Sequence, residues 1–360
     1  MSQREETRIL LDSMTRLFED RCVSEVIERA ERGTFPAELW RAVAESGVPL
    51  AAIPEAAGGS DAAWADVFAV LRPAGRAAAP IPLAETMLAA WVAASAGLAV
   101  TTGPMTIAPV RSDDRLTLER DGDGWRLSGR ASRVPWGAQA SRIVLLAEGP
   151  GGPMVAALGG SNSARVTHGH NIAGEPRDTL DFPSVPVPGE AVAFGRPEAD
   201  RAALHRHGAL ARAVQMSGAL ERALATAVNY AQERQQFGRP IAKFQAIQQQ
   251  LAAMAGQVAA AAAAADAGIE ALDQADPERQ EFLIAIAKTR AGEAATLAAE
   301  IAHQVHGAIG FTREYALQLS TRRLWSWRDE FGSETEWATR IGAMVCARGA
   351  AALWPTLTEA

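Results

Sequence analysis

Arg234 stands where a helical run ends, just before a Phe237-Gly238 turn, and Pro240 links that turn to a second helical run opening near Phe244. A guanidinium at a helix end can grip a pyrophosphate as a two-pronged fork. Gln236 and Gln245 can hydrogen-bond ribose or phosphate, and Phe237 can pack on a flat ring. The same pattern also describes a plain helical hairpin whose arginine caps a helix. Some 70 residues on, Gln304-Val305-His306-Gly307-Ala308-Ile309-Gly310 ends another helix. Gly307 stops that helix and Gly310 reverses the chain, and backbone without side-chain cover can approach a dinucleotide closely. Taken alone, such a glycine pair is an ordinary helix stop.

The elements that must position these residues follow from hydrophobic spacing. Residues 1–105 read as helical: Ile9, Leu10, Met14, Leu17 and Phe18 recur at helical intervals. Phe35–Ser46 is a second helix stopped by Gly47, and 61–71 and 84–96 are further helices. Over 106–195 the period changes to two. Leu116 and Leu118 precede an Asp-Gly-Asp-Gly turn at 121–124, and Trp125 and Leu127 follow it. This segment is expected to form a small antiparallel β-barrel or sandwich.

From 196 to 360 the helical period returns. One stripe is Leu210, Val214, Ser217, Leu220, Leu224 and Val228, and another runs from Phe244 to Ile269 through an alanine-rich stretch. A third helix covers 282–305, and Ser333 with Glu336 makes a capping box that opens the last one. Four long antiparallel helices predict a bundle. The fold class is therefore α+β: a helical N-terminal domain, a β middle and a helical-bundle C-terminal domain.

With 42 acidic against 35 basic side chains, the formal charge of −7 argues against nucleic acid as the main partner. The most apolar stretch, 77–100, is interrupted by Pro80, Pro82 and Glu85 and is expected to be a buried loop and helix, not a membrane span. Cys22 and Cys346 are expected to be reduced, buried thiols of a cytoplasmic protein. No Cys/His cluster has metal-ligand spacing.

Together, the Arg-x-x-Phe-Gly turn and the Gln-x-x-Gly loop resemble the C-terminal domain of acyl-CoA dehydrogenases. The resemblance continues in Leu39-Trp40 through Gly47, in Ile53-Pro54-Glu55-Ala-Ala-Gly58-Gly59, in Gly124-Trp125-Arg-Leu127-Ser-Gly129, and in Arg322-Arg323 and Phe331-Gly332. It implies FAD as cofactor and an acyl-CoA thioester as substrate. It further implies electron transfer to an electron-transfer flavoprotein, and a homotetramer or a heteromer with a related subunit. Carried over position by position, Arg234, Gln236, Phe237 and Gln245 match FAD contacts from one subunit. Gln304, Gly307 and Ala308 match those from a neighbour, with Ala308 in place of a second glycine. Ser333 and Thr335 match positions near the adenine or the flavin.

The catalytic glutamate of the family is missing from its usual places. One of them holds Phe331 and the other Gly208. Glu330 is the nearest candidate base, and His205 and His207 lie beside the second position. Trp325, Trp327 and Trp337 surround the Glu330 region in sequence. The segment that usually touches flavin and substrate is shortened here to 107–113, and Trp136 is a candidate flavin neighbour. The resemblance thus implies α,β-dehydrogenation of an acyl-CoA. A rival reading is a non-catalytic partner subunit of a heteromeric acyl-CoA dehydrogenase, and a more distant one is a flavin monooxygenase on the same fold.

Overall fold

A computed structural model describes residues 3–161 and 164–358. The chain forms two compact units, residues 1–208 and 209–360, and the boundary falls inside one long helix.

The first unit opens with α1 (Gln3–Arg21), α2 (Ser24–Glu31) and α3 (Ala37–Glu45). Met14 and Phe18 of α1 are fully buried, as their spacing requires. Each such side chain contributes roughly 2 kcal/mol through burial, which is enough to hold an otherwise polar helix. The helix expected over 61–71 is two short ones, α4 (Trp64–Ala69) and α5 (Leu71–Arg76). α6 (Leu83–Ser95) is buried almost throughout, so its lack of a polar face reflects a core position. Thr86 ties it to the first strand: its hydroxyl donates to Met105 O at 3.2 Å and accepts from Met105 N at 3.0 Å.

The strands are β1 (Met105–Ala108), β2 (Arg115–Asp121), β3 (Gly124–Pro135), β4 (Arg142–Gly149), β5 (Gly152–Leu158), β6 (Arg165–Thr167), β7 (Arg177–Val187) and β8 (Val192–Phe194). They form one sheet in the order β6-β7-β3-β2-β4-β5-β8, with β1 on β4. The expected antiparallel arrangement holds for β2–β3, β3–β7, β4–β5, β5–β8 and β6–β7, but β1–β4 and β2–β4 are parallel, so the sheet is mixed. Spacing marks a strand but not its partner, because a parallel neighbour needs a long crossover that no local turn announces. The core is the alternating face predicted from sequence: Leu116, Leu118, Trp125, Leu127, Ile143, Leu145, Leu180 and Phe182.

The helix α7 (Arg201–Glu233) crosses into the second unit, where every residue from Ala209 to Leu220 is buried. A two-residue hairpin, β9 (Gln235–Gln236) and β10 (Arg239–Pro240), leads to α8 (Gln245–Glu270). Then come α9 (Pro277–His306), α10 (Leu317–Arg328), α11 (Glu334–Arg348) and α12 (Ala350–Thr358). The expected single last helix breaks at Gly349, where φ is +81°. Cys346, on α11, is exposed and Cys22 is only half-buried, so the two thiols are not the buried pair expected from sequence. Residues 245–273 are long and apolar enough to cross a membrane by composition, with mean hydropathy 1.3. An alanine-rich bundle helix has the same composition, and Met254, Val258, Ala261 and Ala265 of α8 form a buried stripe.

Candidate active site

The last turn of α7 delivers Arg234. Its N–H donates to Tyr230 O at 2.9 Å, and its carbonyl accepts from Ile241 N at 2.8 Å, which closes the hairpin loop. Gln236 pairs with Arg239 across the turn. The two turn residues, Phe237 and Gly238, both have positive φ, +51° and +77°. Glycine takes that conformation freely, whereas phenylalanine is strained there, and strain of this kind clusters at functional sites. The Phe237 ring is 91% exposed and lies edge-on to Phe244, with centroids 6.1 Å apart. Gln245 is the exposed first residue of α8. The structure therefore gathers Arg234, Gln236, Phe237 and Gln245 on one exposed hairpin and its flanking helix ends.

The end of α9 lies beside the end of α7. The His306 ring stacks on Tyr230 at 4.4 Å and 25°, with Tyr315 tilted against it at 4.9 Å. Gln304, Gly307 and Ala308 are exposed around this stack. Gly307 has φ +63° and ψ −143°, which a side chain would strain, although a Cβ there would meet nothing within 4 Å. His306 Nδ1 lies 2.6 Å from Ala302 O and so carries a proton to donate. Its buried Nε2 is left as an acceptor with no partner. Burial is the main force lowering the His306 pKa and keeping the ring neutral. The exposed guanidinium, amide donors and uncovered aromatic ring of the hairpin suit one face of a dinucleotide such as FAD, and the bare glycine turn with its orphaned acceptor suits close approach by a second one.

Ser333 and Thr335 belong to a different part of this unit, the link from α10 to α11. Ser333 is the N-cap of α11: its hydroxyl accepts from Glu336 N at 3.3 Å, and its own N–H donates to Glu336 Oε2 at 3.1 Å. Thr335 is exposed, and its carbonyl accepts the Thr339 hydroxyl at 2.8 Å.

Glu330 lies in the same link and is held as a counter-ion. Arg212 Nε donates to Glu330 Oε2 at 2.7 Å, with side-chain exposures of 3% and 13%. Arg212 also donates to Gln215 Oε1 at 2.6 Å and lies 6.0 Å and 5.9 Å from the Trp327 and Phe331 ring centres. Lys288, wholly buried on α9, donates from Nζ to the carbonyls of Trp327 (3.2 Å) and Arg328 at the end of α10. Burial lowers its pKa to about 7, against the opposing pull of Glu330, Asp329 and Glu334. Arg328 grips both Glu334 oxygens and donates to Thr296 Oγ1 at 3.0 Å. Phe331, at φ +55°, is pinned through its carbonyl by Trp337 Nε1 at 2.8 Å. At Gly332 an added Cβ would lie 2.7 Å from Trp337 Nε1, so only glycine fits. Of the three tryptophans, Trp327 and Trp337 are buried in this cluster and Trp325 is 46% exposed.

Arg212 and Lys288 escaped the sequence reading. The available signal was a lone basic residue inside an otherwise apolar buried helix stretch, which demands a counter-charge or acceptors elsewhere.

In the first unit, His207 is enclosed by Trp64, Phe68 and Trp91, with the Trp91 ring 4.3 Å away. Its Nδ1 lies 2.8 Å from Ala203 O, and burial lowers its pKa to about 4, with Arg206 adding to the effect. The ring is thus held neutral by its aromatic surroundings, while the residue as a whole is half-buried. Its unfolded counterpart takes a proton near 6.5, so the unfolded chain binds more protons between pH 6.5 and 4. His207 should cost the fold roughly 3 kcal/mol as pH falls through that window, and His207→Phe should flatten that loss in acid unfolding curves. An unchanged acid limb in the variant would refute this. His205 is half-buried in the same helix. Trp136 is buried at φ +56°, edge-on to Phe35 at 6.1 Å.

A helical N-terminal region, a mixed sheet and a helical C-terminal unit with a paired hairpin and glycine turn define an acyl-CoA dehydrogenase fold. Residues 4–99 match the acyl-CoA dehydrogenase N-terminal domain and residues 201–333 match the C-terminal domain. The chain belongs to the acyl-CoA dehydrogenase family, and its relatives named acyl-CoA dehydrogenases are oxidoreductases acting on CH–CH donors. Acyl-CoA dehydrogenase IpdE2 of Mycolicibacterium smegmatis is 28% identical over 349 residues, covering 95% of this chain and 99% of that protein. The ChsE4–ChsE5 complex of Mycobacterium tuberculosis contains a chain of the same fold, with a TM-score of 0.87 and 24% identity over 97% of this chain and 99% of that one. A structure named as a Tcur3481–Tcur3483 steroid ACAD variant gives 0.84 and 26%, covering 97% of this chain and 100% of that one.

Proposed function

We propose that this chain takes part in the FAD-dependent α,β-dehydrogenation of an acyl-CoA thioester to its 2,3-enoyl-CoA, with electrons passing on to an electron-transfer flavoprotein. The observation that carries this reading is the Tyr230–His306 stack, which joins the arginine hairpin and the glycine turn at neighbouring helix ends. Arg234 would neutralise the pyrophosphate, Gln236 and Gln245 would donate to ribose or phosphate oxygens, and Phe237 would shield a flat ring from water. Gln304, Gly307 and Ala308 would meet the FAD of a neighbouring subunit, where the small residues permit close backbone approach. Ser333 and Thr335 would offer hydroxyls at the start of α11. When bound, FAD supplies the hydride acceptor.

A second reading is favoured by one contact. The acyl-CoA α-proton needs a carboxylate or similar base, and Glu330 is engaged by Arg212 at 2.7 Å. We therefore propose, as the alternative, a half-site subunit whose base comes from a related partner. The names of two structural relatives, ChsE4–ChsE5 and Tcur3481–Tcur3483, are those of two-component assemblies.

Purified protein should be yellow, and Arg234→Ala should weaken FAD retention by about tenfold or more, read by flavin absorbance after gel filtration. A protein that stays colourless in excess FAD would overturn both readings. Turnover restored only by mixing with a related subunit would establish the second. Turnover by the chain alone that Glu330→Gln abolishes would refute it.

A further inference from the structure

A cavity of about 300 Å³ opens among α1, α2 and α3, lined by Arg21, Val26, Arg29, Thr34, Phe35 and the first turn of α3. Its size is at the lower end for small-molecule sites. Two guanidinium-bearing residues border it, and among the described residues neither Arg21 nor Arg29 has an acidic partner within ion-pair distance. That is notable in a chain with an excess of seven acids, where arginines readily find carboxylates. The lining also has apolar members, Val26, Leu39 and Phe35, whose ring lies edge-on to Trp136 at 6.1 Å. Glu38 also lines the cavity, so the lining carries two positive charges against one negative.

We propose that this cavity is a binding site for a small phosphorylated molecule with a flat or apolar body, its phosphate forked between Arg21 and Arg29 and its body laid against Phe35. Arginine pairs suit phosphate because each presents planar, parallel donors, and Thr34 is a further polar member of the lining. A preset aromatic wall favours a ring-bearing phosphate over the bare ion, since the ring buries apolar area that inorganic phosphate lacks. None of these residues belongs to the hairpin or glycine turn assigned to FAD, so the site stands or falls independently of that reading.

Titration calorimetry with phenyl phosphate and with inorganic phosphate tests it on the intact chain. Phenyl phosphate should bind with one site per chain. Arg21→Gln/Arg29→Gln should weaken it by about tenfold or more, while Arg234→Ala should leave it unchanged. Phe35→Leu should reduce the preference for phenyl phosphate over inorganic phosphate. Both arginines are exposed, so the double variant should keep its circular dichroism and melting curve. No heat at millimolar phenyl phosphate overturns the proposal, as does binding that survives the double variant or is lost in Arg234→Ala.

Discussion

Arg212→Leu should destabilise the protein by about 3–5 kcal/mol, because it leaves the Glu330 carboxylate largely buried without its arginine. Glu330→Leu should cost a similar amount for the opposite reason, and it also removes a charge that supports protonated Lys288. The double variant Arg212→Leu/Glu330→Leu should recover much of the loss, since two apolar side chains impose no ionic desolvation. Urea unfolding of the four proteins measures the coupling. Strictly additive losses would show that the 2.7 Å contact is not an energetic pair. The outcome bears on mechanism. A carboxylate tightly coupled to Arg212 is committed to holding the α10–α11 link, and a general base must present a free lone pair to a substrate carbon.

Stability should rise with pH above neutrality, and Lys288 is the reason. Unfolded lysine keeps its proton to about 10.5, whereas the buried Lys288 releases its proton near 7. Between those values the unfolded chain binds more protons, so raising pH favours the fold. The cost of the buried charge is fully present below about pH 7 and has vanished above pH 10.5. At about 1.4 kcal/mol per pKa unit the difference approaches roughly 5 kcal/mol across the whole range. Glu330, Asp329 and Glu334 work to keep Lys288 charged and Arg212 works against it. In Lys288→Met this pH-dependent component is absent. The stability of wild type relative to the variant should therefore climb from pH 7 to 10 in urea unfolding. A difference that stays flat would mean that Lys288 keeps its proton through its contacts with the α10 carbonyls.

These two basic residues also explain why the family base position is hard to read from sequence. The resemblance in sequence puts Phe331 there, and the neighbouring carboxylate invites a shift of register by one residue. The link cannot slip that way: Phe331 O is held by Trp337, Gly332 abuts the Trp337 indole, and Arg328 grips Glu334 on the far side. Each contact fixes one backbone position, so the side chain of Glu330 goes to Arg212.

Much of this architecture was legible from local spacing alone. The period-two face of β2 and β3 became the sheet core, the Leu210–Leu220 stripe became a fully buried helix, and Ser333 with Glu336 closed its capping box. Those features depend on residues a few positions apart, and the chain's own geometry sets their relation. The hairpin of Arg234 and Phe237 and the turn at Gly307 were visible for the same reason. Tertiary structure decided what depends on distant residues. It put β1 and β2 parallel to β4, stacked Tyr230 on His306, and drew Glu330 to Arg212 across 118 positions of chain. A carboxylate's neighbours within one turn say little about its charge partner, because attraction between opposite charges in a low-dielectric interior acts through space, and only the folded chain sets that distance.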